Sequence, residues 1–479
     1  MKTFLFSLLV LIFLDSTAQD IVFKYDKKFR NVAMPKSYSS FTTINEKTGE
    51  LHLTIVDNKS VERLVLDSNW QIKKKLVSVR GAYTEFPYDR FNSLQLFTHG
   101  DKEINIYNVD GNKFFIDQID YEKQAEINIK KFELKRKESI ITNFTTADIF
   151  CLIVAGKRED ELKFITNGKS RSIEMDTLTV RLNFKDPDMS IAKLLSTAAL
   201  IEKDERDIKK LVESNKIYLR DILVYITIDR PDATYVTGVN LITGEVNHNI
   251  FVQRYIGSLP NETRKKRYNS FLYGNILVNG NAFNSNLSLT FYDHVNKNFI
   301  KNYSVSNQDS IDFNVGSILT KKGKELTTAD FFKKISSGEA LVFELSSKNK
   351  NELELIVEVC DIVIPRSGGG GGVWMSSGGS FQTPGGAVPY APTYHSFGNW
   401  TTSESIVTKN SYFKSVLNSQ TLTTNYTTTA TKSITGLLED ELQKLDVNSA
   451  LSIFRKNGSV YLGYYDAKAE AYNIKRIGN

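Results

Sequence analysis

Five histidines, His52, His99, His248, His294 and His395, and two cysteines, Cys151 and Cys360, are the side chains here best suited to hold a metal or to serve as base and nucleophile. Their spacing does not assemble such a site. No His-x-x-x-His or Cys-x-x-Cys pair occurs, so a zinc centre has no support and neither metal nor cofactor is expected. Asn167-Gly168-Lys169-Ser170 resembles the tail of a phosphate-binding loop, but Lys163 stands where the leading glycine belongs and the fragment joins strands instead of opening a helix. No Gly-x-Ser-x-Gly elbow marks a serine nucleophile. The acidic triplet Glu159, Asp160 and Glu161 reads as a charged turn facing water. No catalytic residue is assigned, because the paired acids of glycoside hydrolysis are defined by a separation in space.

One segment stands above this background. Between Arg366 and Ser403 the chain carries five consecutive glycines, Gly368 to Gly372, then Gly378, Gly379, Gly385 and Gly386, with prolines at 384, 389 and 392. That composition predicts no regular element. It also holds Trp374, Phe381, Tyr390, Tyr394, Phe397 and Trp400. Aromatic rings on an irregular segment offer large rigid area for a sugar ring or a protein partner, so Trp374, Phe381, Tyr390, Tyr394 and Trp400 are the candidate ligand-binding residues. They serve equally well as a lid packed back on the body.

Basic clusters lie at Lys130 to Lys137 and Arg264 to Arg267; with Phe132 and Leu134 interleaved, the first reads as a solvated charged face, and no nucleic acid partner is expected. Sequons such as those at Asn143 and Asn399 arise by chance in a chain this rich in Asn, Ser and Thr.

The elements that must position these residues are mostly strands. LHLTIVDN from Leu51, INIYNVDG from Ile104, DILVYITID from Asp221, LSLTFYD from Leu287 and VYLGYYD from Val460 are short, β-branched and aromatic, and bounded by turn residues. Five segments share a turn pattern of apolar residue, Asx, turn residues, apolar residue: INEKTGEL from Ile44, YNVDGNKF from Tyr107, VNLITGEV from Val239, YDHVNKNF from Tyr292 and YDAKAEAY from Tyr465. The Asx closes the turn on its own backbone, and Gly49, Gly111 and Gly244 supply positive φ, so each is a hairpin. Their starts lie 63, 132, 53 and 173 residues apart, close to one, two, one and three units of about 60. Such a period with several strands per unit predicts an all-β, β-propeller-like fold of about seven blades with a few helical insertions. A β-sandwich or multidomain β arrangement would use the same turns.

Three segments read as helical: Asp186 to Tyr218, as one amphipathic helix or two, with Pro187 at the first position and Ile191, Leu194, Leu195, Ala198 and Ala199 on one face; Thr328 to Ile335; and Ile434 to Leu445, with Leu437, Leu438, Glu441 and Leu445 in register. Cys151 and Cys360 each lie in an apolar run, as buried free thiols or as one bridge between distant strands.

The N-terminus has the layout of a cleavable secretory signal: Lys2, an apolar run from Phe4 to Leu14, then Ser16, Thr17 and Ala18, with cleavage expected after Ala18 or Gln19. No transmembrane segment is expected, since no later stretch offers about eighteen consecutive apolar residues. A net charge of +6 over 479 residues is mild and selects no partner. The reading divides the chain into a signal peptide (1–19), a β-propeller-like body (20–365), the aromatic glycine-rich loop (366–403) and a C-terminal segment closing the β body (404–479).

The Lys, Asn, Ile and Phe-rich composition, the leader MKTFLFSLLVLIFLDSTAQ and the Thr-Gly-Glu hairpins at Thr48 to Glu50 and Thr243 to Glu245 together resemble secreted propeller-like proteins of unknown function from Bacteroidota-type bacteria. The resemblance implies a secreted or periplasmic location, with cell-surface association, and no functional residue. The expectation is a non-enzymatic binding or scaffold protein of the cell envelope, contacting an envelope protein or glycan through the aromatic loop. The alternative is a glycan-processing enzyme with acidic residues at the propeller mouth. The oligomeric state is not fixed by the sequence.

Overall fold

The computed structural model describes residues 21–478 except 28–38, 46–47, 57–59, 80–91, 100–101, 109–112, 136–137, 147–148, 157–159, 168–173, 185–188, 202–207, 254–267, 284–285, 321–322, 337–339, 364–379, 384–385, 390–405, 426–440, 442–450 and 457–458. Among these residues seven sheets of four or five strands carry the fold. Sheet 1 comprises Ser39–Asn45, Glu50–Val56, Ser60–Leu66 and Ile72–Val79; sheet 2 comprises Asn92–His99, Lys102–Asn108, Lys113–Asp120 and Ala125–Glu133. Sheet 3 comprises Ser139–Thr146, Ile149–Ala155, Glu161–Thr166 and Asp176–Arg181. Sheet 4 comprises Ala199–Ile201, Asn215–Arg220, Leu223–Asp229, Ala233–Asn240 and Val246–Val252, its first pair parallel. Sheet 5 comprises Tyr268–Tyr273, Ile276–Phe283, Asn286–Asp293 and Asn298–Ser306. Sheet 6 runs in space Glu325–Leu326, Ile318–Thr320, Ile406–Asn418, Glu352–Val363, Ala340–Asn349. Sheet 7 runs Ile21–Asp26, Ala471–Gly478, Ser459–Asp466, Ser452–Lys456.

Two compact units contain these sheets. Met1–Val109, Phe115–Lys131 and Lys432–Asn479 form the first, with sheets 1 and 7 and most of sheet 2; Asp110–Phe114 and Phe132–Thr431 form the second, with sheets 3 to 6. Period-two alternation decides what each sheet buries. In sheet 1, Leu51, Leu53 and Ile55 with Leu64 and Leu66 share a core with Phe454, Tyr461, Tyr472 and Ile474 of sheet 7. The intervening His52 and Thr54 lie on the other face with Arg63, which pairs with Thr54. In the second unit one core joins sheets 3 and 4, and another joins sheets 4, 5 and 6. Within the first unit, Ile21–Asp26 completes sheet 7 by antiparallel pairing with Ala471–Gly478, Tyr25 opposite Tyr472. The fold class is therefore all-β and β-propeller-like: a succession of small, blade-sized sheets with a few helical insertions.

Four of the five expected hairpins have the predicted chemistry, and the turn of the fifth, with Gly111, lies outside the described residues. The side chains of Asn45, Asn240, Asp293 and Asp466 each accept backbone N–H bonds from their own turns. Four residues further on, the chain turns left-handed, at Gly49 (φ 68°), Gly244 (φ 76°), Lys297 (φ 60°) and Glu470 (φ 47°). Asp120 with Gln124 (φ 53°) and Asn418 with Leu422 (φ 52°) repeat the device without a glycine to announce it. These turns are not equivalent positions of a repeat. They join the first two strands of sheet 1, the last two of sheets 4 and 5, and the middle pair of sheet 7. The spacing near 60 reflects one turn chemistry recurring sheet by sheet.

Other expectations change. The stretch from Asp186 to Tyr218 holds two short helices, Ile191–Leu195 capped by Ser190 and Ile208–Leu211, but Ala199–Ile201 and Asn215–Arg220 are strands, and Asp186 and Pro187 lie outside the described residues. Pairing between those two strands satisfies backbone groups that a helix would have bonded internally. Thr328–Ser336 is helical as expected, Thr327 and Asp330 capping it reciprocally. Of Ile434 to Leu445 only Glu441 is described; it is buried and paired with Lys475. The aromatic segment was expected to hold no regular element, yet Ser380–Thr383 pairs with Gly386–Pro389 as a hairpin. Cys151 and Cys360 are buried free thiols, with burial raising Cys151 well above the ordinary thiol range.

Candidate binding groove

Two largely buried constellations of titratable side chains stand out among the described residues, beside more exposed ones such as Tyr25, Lys27 and Lys75 around Glu62 and Glu138 and Glu161 around Lys163. In the first unit the Glu103 carboxylate meets His52 Nδ1 at 2.5 Å and accepts the Tyr121 hydroxyl at 2.6 Å, with Arg63 Nε 3.9 Å away. Arg63 also donates to Glu126 at 2.5 Å. Burial pushes the Glu103 carboxyl up, but its bonds and charge contacts with His52, Arg63 and Tyr121 outweigh that and hold it below the usual carboxylate range. Alternation puts His52 and Arg63 on the face of sheet 1 away from its leucines, where only a polar neighbour could accept them. With Glu103 1% and Arg63 2% exposed, no substrate reaches this network.

The second lies in the other unit. Lys216 Nζ sits 3.7 Å from Asp229 and donates to Asn269 at 2.5 Å. Asp229 accepts from Thr234 Oγ1 and the Ser270 N–H, while Asn269 donates to the Leu211 and Leu341 carbonyls. Burial pulls Lys216 below its ordinary range despite Asp229. Both charges are fully buried, so the network ties sheet 4 to sheet 5 and to Leu341 of sheet 6 instead of performing chemistry.

An open groove mixes apolar with polar side chains. A groove of about 540 Å³ is lined by His248, Asn249, Ile250, Phe251, Val252, Tyr292 and Lys297, from the end strand of sheet 4 and the last hairpin of sheet 5. Tyr292 Oη donates to the Val252 carbonyl at 2.9 Å, and Asn249 Nδ2 donates to the His294 carbonyl at 2.9 Å. The rings of Phe251, Tyr292 and Phe299 follow one another at 5.2 and 6.2 Å. Around them Ile250 (55%), Val252 (64%), Val295 (50%) and Phe299 (44%) are exposed. The buried Asn249 Oδ1 has no hydrogen-bond partner among the described residues.

Two neutral histidines edge this region. His248 contacts Thr237 Oγ1 through Nδ1 at 3.0 Å, and His294 Nε2 donates to the Gly274 carbonyl at 3.1 Å with its ring edge-on to Tyr225. Burial pulls both below the ordinary histidine value of 6.5. Their protonation therefore favours the unfolded chain, and the stability they leave intact at neutral pH is lost as pH falls below 6.5 through their folded values. The expected result is a lower urea midpoint at about pH 5.5 than at about pH 7.5, above the carboxylate range, and a smaller difference in His294→Gln.

Of the predicted ligand residues, Trp374, Tyr390, Tyr394 and Trp400 lie outside the described residues, and Phe381 falls on the strand Ser380–Thr383. The segment's place in the chain is defined: Val363 and Ile406 are register partners in sheet 6, so it is inserted between two adjacent strands. Glu161, expected in water, is only 14% exposed beside Lys163, because it begins a paired strand. Asn167 is buried and accepts the Phe150 N–H, closing a strand end where a phosphate loop would leave amides free. Asn143 is fully buried, which closes that sequon to glycosylation. In the first basic cluster Leu134 is buried and Phe132 stacks on Phe114 while Lys130, Lys131 and Lys135 face water. Sequence reasoning missed the groove. Its signal was a strand, Val-Asn-His-Asn-Ile-Phe-Val, without a charged residue.

Among the described residues no group of three His, Cys, Asp or Glu could hold a metal ion, and no helix is long and apolar enough to cross a membrane. No family model and no curated protein matches the chain. Among solved structures it is similar to an oligogalacturonate lyase in complex with manganese (9% identity, 95% of this chain and 96% of that one, TM-score 0.33). It is similar also to Saccharomyces cerevisiae Sqt1 (8%, 96% and 100%, TM-score 0.32) and to the Pseudomonas aeruginosa periplasmic gluconolactonase PpgL (11%, 55% and 69%, TM-score 0.27). At such TM-scores these likenesses carry no argument about activity, and the fold class rests on the sheets themselves.

Proposed function

We propose that this chain is a non-enzymatic binding or scaffold protein of the cell envelope, secreted or periplasmic after cleavage near Ala18, and that it holds its partner through the groove at the ends of sheets 4 and 5. One contrast supports the reading: the groove sets aromatic and aliphatic side chains beside His248, Asn249 and a single lysine, whereas the members of the two buried clusters around Glu103 and Asp229 are occupied by each other and closed to solvent. A contact surface needs exposed apolar area with a few polar anchors. A glycan-processing enzyme needs two carboxylates facing a cleft, and Glu103 and Asp229 are instead committed to buried cations. The aromatic segment at 366–403 extends the same reading as a second contact region.

The test uses the mature protein immobilised and probed with envelope polysaccharides and with envelope proteins. Phe299→Ser with Val295→Ser, both at exposed positions, is expected to lower retention of one of these classes about fivefold or more, equivalent to about 1 kcal/mol. Unchanged retention, or turnover of any polysaccharide, would overturn the proposal.

A further inference from the structure

Among the described residues each sheet has two end strands, paired on one side only, and proteins protect such edges with charge. Six of the seven sheets do so at one end at least. Sheet 1 ends in Ile72–Val79 with Lys73, Lys74 and Lys75; sheet 2 in Ala125–Glu133 with Glu126, Lys130, Lys131 and Glu133; sheet 3 in Asp176–Arg181 with an acid and a base at its two ends. Sheet 5 ends in Asn298–Ser306 with Lys301, sheet 6 in Glu325–Leu326 with Glu325, sheet 7 in Ile21–Asp26 with Lys24 and Asp26. Sheet 4 alone has no charged residue in either end strand, Ala199–Ile201 or Val246–Val252, and in the second Ile250 and Val252 are more than half exposed.

From this we infer that Val246–Val252 is a docking edge that accepts an extended apolar segment of a partner protein as an added strand, with an acidic residue of that segment meeting Lys297. This rests on the reading of the groove as a contact surface and names its occupant. Three features select a strand over other occupants. Up to Ile250 the sheet edge offers main-chain donors and acceptors in the spacing of another strand, while the Val252 carbonyl is already taken by Tyr292. Alternate side chains Ile250 and Val252 stand ready for alternate side chains of the visitor. Lys297 lines the groove and makes no ion pair among the described residues, so a carboxylate complements it, whereas a second copy of this chain would present the same uncharged strand and the same lysine.

The experiment uses the full mature chain and labelled peptides of alternating Val and Thr, ending in Asp or in Lys, each also with alternate amides N-methylated to remove edge pairing. The Asp peptide is expected to bind, and either N-methylation or Ile250→Lys is expected to weaken it about tenfold or more. Lys297→Glu should reverse the preference between Asp and Lys peptides. Val252→Lys serves as a second variant should Ile250→Lys perturb the fold. Binding indifferent to N-methylation, or no binding by any peptide, would overturn the inference. So would a wild-type dimer in sedimentation that Ile250→Lys dissolves, since the occupant would then be a second copy. If the peptides fail while an envelope polysaccharide is retained through Phe299 and Val295, the contact surface stands and the added strand falls.

Discussion

Gly280→Ala is expected to lower the unfolding free energy by about 2–3 kcal/mol, although alanine normally stabilises a strand relative to glycine. Gly280 lies within Ile276–Phe283 of sheet 5, paired to Asn269 on one side and Leu289 on the other. A Cβ there would meet the Phe343 ring at 1.9, 2.3 and 2.8 Å from three ring carbons, well inside contact distance. Phe343 is 1% exposed in sheet 6 and part of the core shared by sheets 4, 5 and 6, so the ring cannot swing into solvent. The backbone of a central strand cannot yield either. The gain from replacing a flexible glycine is under about 1 kcal/mol, so overpacking wins. Urea midpoints would show it, and Phe343→Leu combined with Gly280→Ala should recover part of the loss as a coupling of about 1 kcal/mol or more. A neutral single mutant would mean that the two sheets do not close over this glycine.

Glu103→Ala should destabilise by about 3–5 kcal/mol, the usual consequence of removing one member of a buried charge network. The carboxylate is the only described group that His52 Nδ1 and the Tyr121 hydroxyl both contact, and it faces Arg63. Removing it leaves the buried His52 ring without its Nδ1 partner and the half-buried Tyr121 hydroxyl without its acceptor. Glu103→Gln keeps the shape and an acceptor for Tyr121, so a smaller loss of about 1–3 kcal/mol is expected. Because the Glu103 carboxyl is held low in the folded chain, its contribution is present above the unfolded carboxylate value and disappears as pH falls through the folded one. Wild type should therefore lose stability on acidification in a range where Glu103→Gln loses less. Equal acid sensitivity in both would remove Glu103 from the account.

Much of the fold was legible along the chain. Strands and hairpins follow from local preferences: Leu51, Leu53 and Ile55 alternate with His52 and Thr54, and Asn240 closes a turn whose Gly244 takes positive φ. Of the six Asx turns four were legible in the sequence, two of them with Lys297 and Glu470 in place of a glycine, and those at Asp120 and Asn418 were not. Mistaking Ala199 for a helical residue has a physical cause too. Leu194, Leu195 and Ala198 have helical spacing, but Ala199–Ile201 gains more by pairing with Asn215–Arg220 than by extending a five-residue helix.

Taken alone, the sequence determined the secondary-structure class, the turn chemistry and the lack of any recognisable catalytic or metal motif, since each depends on residues a few positions apart. Only the tertiary structure decided which faces meet. His52 and Glu103 are 51 residues apart, Lys216 and Asn269 are 53 apart, and Gly280 is seated under Phe343 from another sheet. The groove likewise joins Val246–Val252 to a hairpin some forty residues onward, at Tyr292 and Lys297. Strand alternation says which side chains leave a sheet on the same side but not what stands opposite. That depends on how neighbouring sheets stack, a long-range packing outcome that no short window of residues contains.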